Sequence, residues 1–156
     1  MVATSNALAA KAMRAAMLAM TFVGFTACDQ EPVTPSNPQF NVTGTWRGTI
    51  SVNNTPAVMT WTLTDTAGTV SGPVLIGLPT GTVLLNGMLA GTLNGTALAY
   101  TVSVPPGGVL SQPGCSGQIA GTSTLASASA MNGAYAVAAS TCPTGLNNGN
   151  FSLARQ

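Results

Sequence analysis

Over most of this chain, apolar and polar residues alternate with a period of two. From Thr45 to Val52, Trp46, Ile50 and Val52 fall on one face and Thr45, Arg47, Thr49 and Ser51 on the other. Met59, Trp61 and Leu63 alternate with Val58, Thr60, Thr62 and Thr64. Leu98, Tyr100, Val102 and Val104 alternate with Ala97, Ala99, Thr101 and Ser103. Met131, Gly133, Tyr135 and Val137 alternate with small residues, and Phe151 and Leu153 repeat the pattern near the end. In a strand, successive side chains point to opposite faces, so this pattern describes strands with one dry and one wet face, as antiparallel sheets have. The interruptions carry turn chemistry: Asn53-Asn54-Thr55-Pro56, Asp65-Thr66-Ala67-Gly68, Asn94-Gly95, Pro105-Pro106-Gly107-Gly108 and Asn147-Asn148-Gly149. Asn94-Gly95 is the strongest hairpin signal among them.

These boundaries predict about eight strands, near 43–52, 57–65, 69–76, 82–90, 96–104, 115–125, 130–139 and 150–155, and no helix in the domain. Glycines inside the strands, such as Gly48, Gly72, Gly91, Gly121 and Gly133, are expected to allow bends or bulges. The expected fold class is all-β, a small up-and-down barrel or barrel-like sandwich. A membrane-spanning barrel is the competing fold. It needs strands of about 9–11 residues and aromatic girdles, whereas the alternating faces here are rich in threonine.

Charge narrows the function. Between Phe40 and Gln156 the only charged side chains are Arg47, Asp65 and Arg155, and the whole chain has no histidine. Acid–base catalysis needs a titrating group within reach of a substrate, often two. Asp65 is the domain's single carboxylate, and it falls at a predicted turn. There is no carboxylate pair, no histidine to activate a serine or cysteine, and no glycine-rich loop leading into a helix to hold phosphate. A basic patch for nucleic acid is missing, and so is a four-ligand metal spacing. The expectation is a non-catalytic domain without cofactor, metal or nucleic-acid partner. Arg47 and Arg155 read as solvated side chains with packed stems.

The first residues differ in kind. Lys11 and Arg14 precede an apolar stretch, Ala15 to Phe25, followed by Thr26, Ala27 and Cys28. A spanning helix needs about 20 residues; this stretch is shorter and suits the apolar core of a secretory signal. An uncleaved anchor or a buried amphipathic helix is the alternative. Met13 is a second candidate start. The run Phe25-Thr26-Ala27-Cys28 resembles the lipobox of bacterial lipoproteins. That resemblance implies a signal over residues 1–27, acylation of Cys28, and a lipid-anchored protein facing the periplasm, with the bilayer as its partner. Which membrane is left open; Asp29 leans toward the inner one. Residues 28–39, with Pro32, Pro35 and Pro38, then read as a disordered linker, extended enough to hold a domain roughly 30 Å from the surface. With Cys28 assigned to lipid, Cys115 and Cys142 remain, and an exported pair is expected to form a disulfide. Two free buried thiols are the alternative.

Gly44-Thr45-Trp46 is similar to the Gly-x-Trp opening of the calycin barrels, the lipocalins and avidins. The segment Gly95 to Val102 is similar to a central avidin strand, with Tyr100 where an aromatic ligand-box residue stands. The resemblance implies a barrel over residues 40–156. It makes Trp46, Trp61, Tyr100 and Tyr135 candidate lining for a small apolar ligand, while plain core is their other reading. Two functions follow: an envelope lipoprotein whose barrel is structural or binds a protein partner, or a carrier of a small apolar ligand.

Overall fold

A computed structural model describes residues 40–52, 55–143 and 148–156. The expected signal, Cys28 and the linker up to residue 39 lie outside the described residues, as do Asn53, Asn54 and Asn147 of the expected turns. Eight strands follow in order: β1 (Gly44–Val52), β2 (Thr55–Thr66), β3 (Thr69–Gly77), β4 (Val83–Asn94), β5 (Ala97–Val104), β6 (Gly117–Ser127), β7 (Ala130–Ser140) and β8 (Gly149–Arg155). Each pairs antiparallel with the next, and β8 returns to β1 through Trp46–Arg155 and Arg47–Ala154. The sheet is closed, which settles the barrel against the sandwich. Closure removes the free edges that a flat sheet would expose.

The alternation in the sequence is the alternation in space. In β5, Leu98, Tyr100, Val102 and Val104 are buried and the residues between them exposed. Met59, Trp61 and Leu63 of β2 point inward, and so do Trp46 and Ile50 of β1. Among the described strand residues, Trp46, Trp61, Tyr100 and Phe151 are buried and Tyr135 is half-buried. The outer face of these strands therefore carries no aromatic girdle of the membrane-spanning kind.

Two expectations need correction. The bulges fall at Ile76/Gly77, Gln118/Ile119 and Leu125/Ser127, not at Gly48, Gly72, Gly91, Gly121 or Gly133. Those glycines make room for close neighbours. A Cβ on Gly48 would lie 1.9 Å from the Ser152 carbonyl oxygen, so glycine is what lets β1 and β8 approach at the seam. Strand β4 also runs past Gly91 to Asn94, because Gly91 pairs with Tyr100 and the ladder continues.

The two ends of the barrel are built differently. At one end the turns are tight: Ala67–Gly68, Gly95–Thr96 and Ala128–Ser129. Ala67 and Gly68 both have positive φ, 51° and 85°, as a type I′ hairpin requires. At Asn94-Gly95, Asn94 stays in the ladder opposite Ala97. Gly95, with φ 60°, takes the first loop position, which a type II′ turn reserves for glycine. At the opposite end two connections are long, Leu78–Thr82 between β3 and β4 and Pro105–Ser116 between β5 and β6.

Candidate functional site

At the tight-turn end, the chain before β1 is fastened across the barrel. The Trp46 indole Nε1–H donates to the Val42 carbonyl at 2.8 Å. The Arg155 guanidinium carbon stands 4.9 Å from the centre of the Trp46 ring, a cation–π contact. Arg155 Nη2 donates to the carbonyls of Asn41 and, at 2.9 Å, Thr43. Asp65 accepts from the backbone N–H of Val42 at 3.2 Å and from that of Gly68 at 3.0 Å, and its own N–H donates to Thr43 Oγ1. Asp65 is thus turn chemistry, as expected, and a clasp as well. Arg155 departs from the sequence reading: it is half-buried and ties down the strap of chain before β1. Arg47 is exposed, as expected. Trp46, fully buried here, stands opposite Trp61 in the β1–β2 register, but its ring is engaged by Arg155 and Val42.

In the middle of the barrel the other three candidate lining residues meet. Trp61 packs against Phe151 with ring centres 4.9 Å apart and against Tyr100 at 5.0 Å, and Tyr135 stacks on Phe151 at 6.4 Å. The register explains how so many rings fit. One row around the wall reads Gly91, Tyr100, Gly121, Tyr135, Gly149, each opposite the next on the neighbouring strand. A Cβ on Gly121 would sit 2.4 Å from the Tyr100 Oη and as close to the Ala134 carbonyl oxygen. Glycine and tyrosine therefore alternate so that each ring lies over a bare backbone. Tyr100 donates its hydroxyl to Ala134 O at 3.2 Å. Burial pushes its pKa well above the usual tyrosine range, and the neighbouring Tyr135 adds to this. Burial raises Tyr135 as well.

The void left among Met59, Trp61, Ile76, Tyr100 and Tyr135 measures about 20 Å³. One water needs roughly 10–15 Å³ on such a measure, so this void has space for little more. The Trp61 Nε1–H and the Ser123 hydroxyl are buried with no hydrogen-bond partner among the described residues.

The open end is different again. A cup of about 570 Å³ is walled by Val52, Ile76, Leu78, Leu84, Val109 and Leu110, with Thr55, Thr82 and Ser111 between them. Its far wall is the β5–β6 connection. There Asn86 N–H donates to Gly108 O at 2.7 Å, Leu85 bridges Val109, and Leu110 N–H donates to Leu84 O at 3.3 Å. The connection thus lies beside the first residues of β4, whose pairing with β5 starts only at Met88. Its far end is held by a disulfide between Cys115 and Cys142, the expected pair, with Cα atoms 4.9 Å apart. None of the cup's wall was among the sequence candidates. The one trace was Val109-Leu110, an apolar pair inside a loop of proline and glycine. A second concavity, about 610 Å³, is a shallow strip on the outer face of β4 to β7, walled by alanines and threonines over the glycine row.

The fold is similar to the solved structure of a redesigned β-barrel, with a TM-score of 0.53 at 15% identity over 73% of this chain and 90% of that one. No family model matches the sequence, and no curated protein does. The likeness to the redesigned barrel concerns architecture alone: this chain carries a small, closed, eight-stranded antiparallel β-barrel.

Proposed function

We propose that this chain is a bacterial envelope lipoprotein, anchored through an acylated Cys28 and facing the periplasm, whose barrel has a structural or protein-interaction role rather than a catalytic one. The anchor rests on the sequence: Lys11 and Arg14, the apolar stretch from Ala15 to Phe25, and the lipobox-like Phe25-Thr26-Ala27-Cys28. The role rests on one structural observation, the filled interior. Trp61, Tyr100 and Phe151 occupy the space a deep ligand would take and leave about 20 Å³. The domain's carboxylate supports the same reading, because Asp65 is engaged by backbone N–H groups of Val42 and Gly68. The test of the anchor is metabolic labelling with a radioactive fatty acid in a bacterial host. The wild-type chain should take up label and fractionate with membranes, and Cys28→Ala should do neither. Label retained in Cys28→Ala sinks the anchor.

A second reading, a small apolar ligand, draws support from a different observation: the apolar cup at the open end, above the aromatic cluster rather than within it.

A further inference from the structure

We infer that the cup is a binding site for a small, uncharged, largely apolar molecule, held between the β3–β4 turn and the disulfide-anchored β5–β6 strap. The inference deepens the ligand reading and is independent of the lipid anchor. Four observations carry it. The volume, about 570 Å³, lies within the roughly 300–1,000 Å³ of small-molecule sites, and such sites are mostly apolar with a few polar groups. The walls follow that recipe, with Leu78, Leu84 and Leu110 as the apolar surface and Thr55, Thr82 and Ser111 as neutral hydrogen-bonding groups. Among the described residues, no charged side chain lines the cup. Asp65 and Arg155 are engaged at the opposite end of the barrel, so nothing in the cup would compensate a charge on the guest.

The third observation is that the wall is already formed. The strap is bonded into the sheet beside β4 at Gly108 and Leu110, Val109 is buried in the core, and Cys115 is tied to Cys142. A guest therefore pays little to order it. The fourth is Leu110 itself. It is 54% exposed on the cup's rim, a large apolar side chain left in water in a domain that otherwise buries its leucines with few exceptions. A bilayer surface is the rival occupant, but insertion into lipid suits a protruding apolar tip, whereas this surface is concave.

The test is fluorescence titration of the full chain carrying Cys28→Ser with N-phenylnaphthylamine, an uncharged probe that brightens on leaving water. Two variants share its N-terminal region, so differences between them report on the barrel. Leu110→Asp puts a carboxylate on the rim at an exposed position that does not hold the core. Met88→Asp puts one on an equally exposed apolar residue outside the cup. The expected result is saturable one-to-one binding that weakens about tenfold or more in Leu110→Asp and is unchanged in Met88→Asp, with near-ultraviolet circular dichroism the same in all three. The inference is overturned by absence of saturable binding, by equal affinity in Leu110→Asp, or by equal loss in both variants. It is also overturned if Leu110 matters only for flotation with zwitterionic vesicles, which would assign the rim to a membrane. None of these outcomes bears on labelling at Cys28.

Discussion

The two ends of this barrel close by different physics. At the tight-turn end, stability comes from contacts present only in the folded state. Trp46 is fully buried under Arg155, and the chain from Asn41 to Thr43 is pinned by Arg155 and Asp65. At the open end, a long strap is held by a covalent bond, and the surface beneath it is left hollow. A domain with so few charges has put two of its three, Asp65 and Arg155, into sealing one end. The difference places the charged clasp and the apolar hollow at opposite poles.

The largest effect that could break this contrast is expected at the sealed end. Trp46→Ala should cost about 3–5 kcal/mol, the range for emptying a large aromatic site. It also removes the platform under Arg155 and the bond to Val42 O. Since domains of this size have about 5–15 kcal/mol in total, a sizeable unfolded fraction should appear in modest urea. Leu110→Ser at the open end should stay within about 0.5 kcal/mol of wild type, being exposed and outside the core. Equal urea midpoints for the two variants would remove the contrast.

A somewhat smaller effect should come from the open end through a different route. Replacing Cys115 and Cys142 together by serine releases a loop closed over 27 residues. The chain-entropy treatment gives about 3.5 kcal/mol for such a loop, acting mainly on the unfolded state. Hydrogen exchange distinguishes this from lost packing. Under native conditions residues 105–116 should lose protection, while β4 and β5 near Asn94 and Ala97, at the other end, keep the protection they have in the wild-type chain. Loss of protection at Val42 and Trp46 first would show that the strap supports the sealed end too.

How far the sequence reveals this arrangement depends on the distance over which each feature is encoded. Strands are local, and the alternation of Met59, Trp61 and Leu63 or of Leu98, Tyr100 and Val102 gave their places and faces directly. The end of β4 was not legible, because Gly91 looks like a break until its pairing with Tyr100 is known. The same holds for Gly121, whose service as space for the Tyr100 ring shows only once β5 and β6 are paired. Arg155 looked solvated because nothing local shows that its strand closes against β1. The cup was least legible of all. Val52, Ile76, Leu84 and Leu110 come from four separate segments, and each looks like an ordinary strand end or loop residue by itself. The cysteine pair was legible by arithmetic, since assigning Cys28 to lipid leaves two.

The smallest effect tests the layer that the two ends share. Tyr100 donates to Ala134 O within the cluster of Trp61, Tyr135 and Phe151, so Tyr100→Phe should cost about 0.5–1.5 kcal/mol, the net value of one hydrogen bond. The pH dependence gives the sharper readout. Burial raises the pKa of both Tyr100 and Tyr135 above the value of about 10 expected in the unfolded chain. The folded state therefore keeps its phenolic protons to higher pH than the unfolded state does. Their contribution is fully present below about pH 10 and is lost as pH rises from there toward the folded values. With no histidine in the chain, the urea midpoint should be nearly flat from about pH 6 to pH 9 and then fall, less steeply in Tyr100→Phe. Because the ring layer lies between the sealed end and the cup, protection at Trp46 and at Val109 should be lost together over that alkaline range. A midpoint that stays flat to about pH 11, or a strap that opens well before the sealed end does, would mean that the ring layer does not couple the two poles.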